Sequence, residues 1–254
     1  MAESVRRRLI ADDGSVIAAT HHRGPVGAPV VVLAHGFTGS HARPEVQTIV
    51  EQVQRRLSVI AVDLRGHGQS GGWSTLGHRE VVDVQAAVQW GRLLGYERIL
   101  SLGFSMGGAV VVRHAAEYGG VDAVASVSAP ARWNYRGTRP MRTAHWVVSG
   151  RAQRALLSRT RGTRVDMRVW ETQPWPADPR TAAADLNVPL LVVHGDSDHY
   201  FPVDHGEQLA AGPAAVLWLE PGFAHAESGI GPDLLGRIID WLANFGGPGD
   251  QRLP

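Results

Sequence analysis

The chain has 254 residues, of which 44% are hydrophobic and 19% charged, enough apolar side chain for one large core and too little charge for a disordered chain. A formal net charge of +1 argues against a dedicated nucleic-acid binder, and the lack of Cys excludes disulfides, thiolate metal sites and a Cys nucleophile. No apolar run is long enough to span a membrane, and the basic stretch at residues 6–8 is not followed by the apolar segment of a signal peptide, so a cytoplasmic protein is expected.

Residues 5–10 and 16–21 flank Asp12-Asp13-Gly14-Ser15, two extended runs about an Asp-Gly turn, which predicts a β-hairpin. The run VVVLAH at 30–35 follows Pro29 and is apolar throughout, as in a strand buried on both faces. It runs into His35-Gly36-Phe37-Thr38-Gly39. A Gly at that point lets the backbone turn and aim an N–H into a site, and His35 is expected to prop the loop rather than to do chemistry. Val46, Ile49, Val50 and Val53 form a helical stripe, and residues 59–62 the next strand. Asp63-Leu64-Arg65-Gly66-His67-Gly68-Gln69-Ser70 follows that strand as a tight turn. Structural roles are expected for Asp63 and Arg65, and no catalytic one for His67. A second helical stripe runs through Val81, Val84 and Val88 and extends to Leu94.

The strand at 99–103 leads into Gly103-Phe104-Ser105-Met106-Gly107-Gly108, and a helical run follows at 109–118. This is G-x-S-x-G in its strand–turn–helix setting. A nucleophilic Ser there must sit on a sharp, strained turn, and Gly103 and Gly107 remove side chains that would collide. The turn exposes the Ser105 hydroxyl and points the first helical amides at developing negative charge. The amides of Phe37 and Met106 would then form a two-donor oxyanion hole.

After the strand at 121–127 the alternation of strands and helices breaks for nearly 60 residues. A structureless loop of that length is improbable, which predicts a small helical insertion over the sheet, residues 131–185 of an otherwise single domain 1–254. It holds four of the eight Trp: Trp133, Trp146, Trp170 and Trp175. All basic residues of the chain are Arg, and residues 131–180 hold 11 of them against Asp166, Glu171 and Asp178, a net +8, which leaves −7 on the remainder. The plainer expectation is that these Arg pair with acids of the main body and fasten the insertion. The alternative is that they attract an anionic substrate while the Trp supply an apolar wall.

Strands follow at 188–194 and 214–219, and Leu234, Leu235, Ile238, Ile239 and Leu242 mark a last helix. The tail 246–254 is expected to fray. A Ser hydroxyl needs a base, and the base an acid that orients it, in the chain order Ser, acid, His. His225, in Pro221-Gly222-Phe223-Ala224-His225, follows the last strand and is the expected base. The acid lies in Gly195-Asp196-Ser197-Asp198; Asp198 is favoured, with Asp196, closer to the strand end, as the alternative. Alternating strands and helices predict an α/β fold with a mostly parallel sheet flanked by helices.

Taken together, HGFTG at 35–39, DLRGHGQS at 63–70, GFSMGG at 103–108, HGDSDHYFP at 194–202 and PGFAH at 221–225 resemble the α/β-hydrolase superfamily, over the whole chain apart from the insertion. The resemblance implies Phe37 as an oxyanion amide, Ser105 as nucleophile, Asp198 as acid, His225 as base, and a cap inserted after the sixth strand. One departure is Ala224, where that family often has Gly before the His. Relatives with Asp at the elbow, epoxide hydrolases and haloalkane dehalogenases, are disfavoured by Ser105. A serine esterase or small lipase is therefore expected, with a thioesterase or other acyl-transfer hydrolase as the alternative. A ligand-binding protein that keeps the fold without turnover is the alternative of another class. No cofactor is implied: neither a zinc-binding H-E-x-x-H, nor a phosphate loop, nor a dinucleotide fingerprint occurs. The expected partner is a small-molecule ester or thioester, with no nucleic acid and no membrane span.

Overall fold

The computed structural model describes residues 4–244. The predicted hairpin is present as β1 (Ser4–Ile10) and β2 (Val16–His22), paired in antiparallel register from Ser4 against His22 to Ile10 against Val16. It joins the sheet through β2, which runs antiparallel to β4 (Ser58–Val62). The other strands are β3 (Val30–Ala34), β5 (Ile99–Phe104), β6 (Ala123–Val127), β7 (Leu190–Gly195) and β8 (Ala215–Glu220). The eight strands lie in the order β1-β2-β4-β3-β5-β6-β7-β8, and every pairing from β4 to β8 is parallel.

The continuous apolar runs are explained by two covered faces. Side chains alternate across a strand, so Val30, Val32 and Ala34 enter one core and Val31 and Leu33 the other. The first core is roofed by α2 (Val81–Leu93) and α3 (Met106–Glu117), the second by α1 (Pro44–Gln54) and α10 (Pro232–Asn244). The stripe Val46, Ile49, Val50 and Val53 is fully turned inward on α1. On α10, Leu235, Ile238, Ile239 and Leu242 are buried and Leu234 is half-buried. Leu94 departs from its expected stripe: it lies past the end of α2 and is exposed. The expected fraying tail at 246–254 lies outside the described residues.

Between β6 and β7 the chain builds α4 (Arg139–Ser149), α5 (Arg151–Arg161), α6 (Val169–Thr172) and α7 (Pro179–Ala184). These helices divide into two groups. α4 and α5 form a hairpin that buries little: Val148 on α4 and nothing on α5. α7 instead packs on α3, with Ala182 and Ala183 inside the first core, and so belongs to the body of the domain. The remaining helices are α8 (Val203–Leu209) and the single turn α9 (Ala226–Gly229). Because the central strands are parallel, their C-terminal ends share one edge. The loops after β3, β4, β5, β7 and β8 carry the five motifs, so one edge gathers them all.

Candidate active site

Ser105 sits between β5 and α3 with φ 50° and ψ −118°, a left-handed conformation that costs a non-Gly residue of order 1–3 kcal/mol. Its N–H is held by the Val127 carbonyl of the neighbouring strand at 2.8 Å. The turn closes only because its flanks are bare. A Cβ on Gly103 would run into the Gly107 carbonyl, and one on Gly107 would strike the backbone of Ala34 and His35. The elbow thus packs directly against the end of β3, which brings the loop at 35–39 beside Ser105. Met106 is the first residue of α3, so its N–H has no acceptor within the helix.

His225 and Asp198 arrive on the loops after β8 and β7. The His225 Nε2 lies 3.0 Å from the Ser105 Oγ, and its Nδ1 lies 2.7 Å from the Asp198 Oδ2. A carboxylate can only accept, so Nδ1 carries the proton and the Nε2 lone pair faces the Ser105 hydroxyl. The second Asp198 oxygen accepts the N–H groups of Tyr200 at 2.8 Å and Phe201 at 3.1 Å, which fixes the buried carboxylate. Tyr200 and Phe201 also pack their rings on the His225 imidazole. Asp196 faces elsewhere. Its Oδ1 accepts the Gly222 N–H at 2.7 Å, tying the β7 loop to the turn that precedes His225.

The loop that carries Phe37 is oriented from below. The His35 Nδ1–H donates to the Gly36 carbonyl at 2.7 Å, and its Nε2 accepts the Leu64 N–H at 3.1 Å. In a trans peptide C=O and N–H point in opposite directions, so pinning the Gly36 carbonyl also sets the direction of the Phe37 N–H. His67 does the same one residue on, its Nε2 accepting the Thr38 N–H at 3.2 Å while Nδ1 donates to the Arg65 carbonyl. Both imidazoles must be neutral to donate and accept at once. Burial enforces this, lowering the pKa of His35 and taking that of His67 down to about 4. Asp63 is buried, which by itself would raise its pKa. The hydrogen bond and charge of His41 and the Gln69 N–H outweigh this and hold it at about 2. Arg65 is clamped between Asp83 and Asp13.

Two residues with no motif around them complete the arrangement. The Glu227 Oε1 accepts the Gly36 N–H at 2.5 Å. A Cβ on Gly36 would lie 3.2 Å from both the Glu227 carboxylate and the Ser105 Cβ, so the carboxylate sits beside the elbow. Burial raises the pKa of Glu227, against the Gly36 N–H and the charge of His225, which favour its ionised form. Ser128 lies at φ 52° after β6, and its Oγ accepts the N–H of Ala226, itself at φ 49°. That bond holds the sharp turn that sends Glu227 back under the loop. In sequence Glu227 is marked only by standing two residues after His225; Ser128 carries no mark. Among the described residues no group of three or more His, Asp or Glu is arranged to hold a metal ion, and no helix is long and apolar enough to cross a membrane.

The fold is that of a known class. The family model described as the alpha/beta hydrolase fold matches residues 29–165, and the chain belongs to that family. The matched span holds Phe37, Ser105 and Met106; Asp198 and His225 lie beyond it. Over 218 residues the chain is 29% identical to the AB hydrolase superfamily protein YisY of Bacillus subtilis, covering 73% of this chain and 80% of that one. Over 231 residues it is 29% identical to a monoacylglycerol lipase of Mycolicibacterium smegmatis, covering 77% and 80%. Among solved structures, the Pyrococcus furiosus esterase Pf2001 superposes with a TM-score of 0.76 at 20% identity, over 97% of this chain and 94% of that one.

Proposed function

We propose that the protein is a serine hydrolase of carboxylic esters that works through an acyl-enzyme. The observation that carries this reading is the unbroken hydrogen-bonded chain from Ser105 through His225 to Asp198, at 3.0 and 2.7 Å. In the proposed reaction the Ser105 Oγ attacks the ester carbonyl while the His225 Nε2 takes its proton. Asp198 holds the Nδ1–H tautomer and stabilises the imidazolium that forms. The oxyanion is met by the N–H groups of Phe37 and Met106, and each such donor is typically worth about 10²–10³ in turnover. His225 then gives its proton to the leaving alcohol, and water repeats the sequence to release the acid. The ester as substrate is supported by the lipase and esterase names of the M. smegmatis and P. furiosus proteins. The helices within 131–185 other than α7 would form a cap over this edge.

Two measurements test the reading. A fluorophosphonate should label wild-type protein on Ser105 and leave Ser105→Ala unlabelled. The same substitution should abolish hydrolysis of p-nitrophenyl acetate without shifting the melting temperature downward. Turnover that survives in Ser105→Ala would refute the assignment.

A further inference from the structure

The charge of the 131–180 segment is not consumed by its attachment. Among the described residues only Arg132 forms an ion pair with the main body, to Asp204. Arg168 and Arg180 pair with acids of the segment itself, Asp166 and Asp178. Among the described residues Arg136, Arg151 and Arg159 have no carboxylate within ion-pair distance. All three are exposed and line one cavity of about 1020 Å³. Arg154 lines it as well, its guanidinium fixed on the carbonyls of Val148 and Ser149 at the end of α4. Asp166 and Glu171 are the acids in that lining, and Asp166 is already engaged by Arg168.

The same cavity has an aromatic lining that is held in place. Trp73, Trp133, Trp170 and Trp175 line the cavity. The indole N–H groups of the last three are satisfied by the carbonyls of Ala177, Thr75 and Trp170, and the rings are held by packing on one another, with the Arg113 guanidinium over Trp133. The wall is also pinned to the body. Ser74 and Val165 form a β-bridge, and the Ser74 N–H donates to the Arg164 carbonyl at 2.7 Å. Fixed indoles and guanidinium groups lining one cavity are complementary to an apolar or aromatic body that ends in an anion.

Topology relates this cavity to the elbow. Its walls come from the loops that leave the C-terminal ends of β4 and β6. In the sheet the strands between those two are β3, which leads to Phe37, and β5, which leads to Ser105. Ser105 and His225 are not part of the lining. The cavity is therefore placed for the portion of a substrate remote from the bond that breaks. Resting on the hydrolase reading above, we propose that the substrate is an ester with an apolar or aromatic body and a carboxylate at its far end, held by Arg136, Arg151 and Arg159.

Binding and turnover test this separately. Tryptophan fluorescence of the full chain is titrated with naphthalene-2-carboxylate and with its neutral isostere naphthalene-2-carboxamide. The carboxylate should bind at least about tenfold more tightly, by an advantage that shrinks with salt. In the variant R136Q/R151Q/R159Q the two should bind alike. These side chains are exposed and unpaired, so the variant is expected to fold, which far-UV circular dichroism checks. In turnover, kcat/KM for mono-p-nitrophenyl sebacate should fall about tenfold or more in the variant, through KM, while that for p-nitrophenyl butyrate stays within about twofold. Equal binding of acid and amide would overturn the anionic subsite, and a preference that survives in the variant would overturn its assignment to Arg136, Arg151 and Arg159, even if Ser105 is labelled by the fluorophosphonate. A charge-dependent site in a protein that Ser105 reagents fail to label would instead retain the cavity and remove the hydrolase reading.

Discussion

Gly36 is held from two sides. His35 grips its carbonyl and Glu227 its N–H, so both peptide planes at the head of the Phe37 loop are fixed by buried side chains. Glu227→Ala would leave the Gly36 N–H without a partner, a loss of about 1–3 kcal/mol in stability. If the loop orients the oxyanion donor, the same variant should lower kcat for p-nitrophenyl acetate by about 10-fold or more at unchanged KM. Glu227→Gln retains an acceptor oxygen and should recover most of both. Equal kcat in Glu227→Ala and wild type would mean that the loop holds its geometry without the carboxylate. The two acids after β7 separate in the same manner. Asp198→Asn replaces the acceptor of the His225 Nδ1–H and should cut kcat by up to about 10⁴. Asp196→Asn keeps an oxygen for the Gly222 N–H and should cost little; steady-state kinetics on one activated ester ranks them.

Elements were legible where burial imposes a period. β3 is covered on both faces and reads as an unbroken apolar run, and α1 is covered on one and reads as a stripe at helical spacing. The motif loops were legible because sharp turns demand Gly at fixed offsets, as at Gly103 and Gly107. What the sequence hides is contact between distant segments. α7 is six residues long, too short for an apolar stripe to show that its alanines enter the core beside α3, whereas α5 buries no residue. Glu227 is hidden too, its partner Gly36 being 191 residues away. The contrast between the two helices is measurable by urea unfolding. Ala183→Leu inserts volume into a packed layer and should cost about 1–3 kcal/mol. Leu156→Ala removes a side chain that is 61% exposed and should stay within about 0.5 kcal/mol of wild type. A large loss from Leu156→Ala would show that the α4–α5 hairpin is an integral part of the fold.

At the scale of the whole molecule the buried histidines couple stability to pH. Burial takes His67, His114 and His205 each down to about 4 and also lowers the pKa of His35. In the unfolded chain each returns to about 6.5. Between these values the unfolded state binds protons that the native state refuses, so stability rises with pH there by about 1.4 kcal/mol per pH unit for each such group. Their contribution is complete above about pH 6.5 and is lost as pH falls towards 4. Asp13 and Asp63 act lower down. Both are held at about 2, so their contribution is kept above their unfolded value near 4 and is lost only as pH falls from there towards 2. Between 6.5 and 4 the buried histidines outnumber the two carboxyls that oppose them, Asp83, raised by burial to about 7, and Glu227, whose pKa burial also raises. Urea midpoints measured from pH 7.5 to 4.5 should be flat at first and then fall steeply below about 6.5. His114 is remote from Ser105 and hydrogen-bonded to Gln85, so His114→Gln removes one titrating group without touching the elbow. Its stability should decline less steeply with acid, by one proton's worth of slope. A profile as steep as wild type in that variant, or a flat wild-type profile down to pH 5, would show that these imidazoles take up protons in the folded state. His35 and His67 each accept an N–H through Nε2, and a proton there would set donor against donor. Acid that reaches them should therefore disable the Phe37 loop together with the fold.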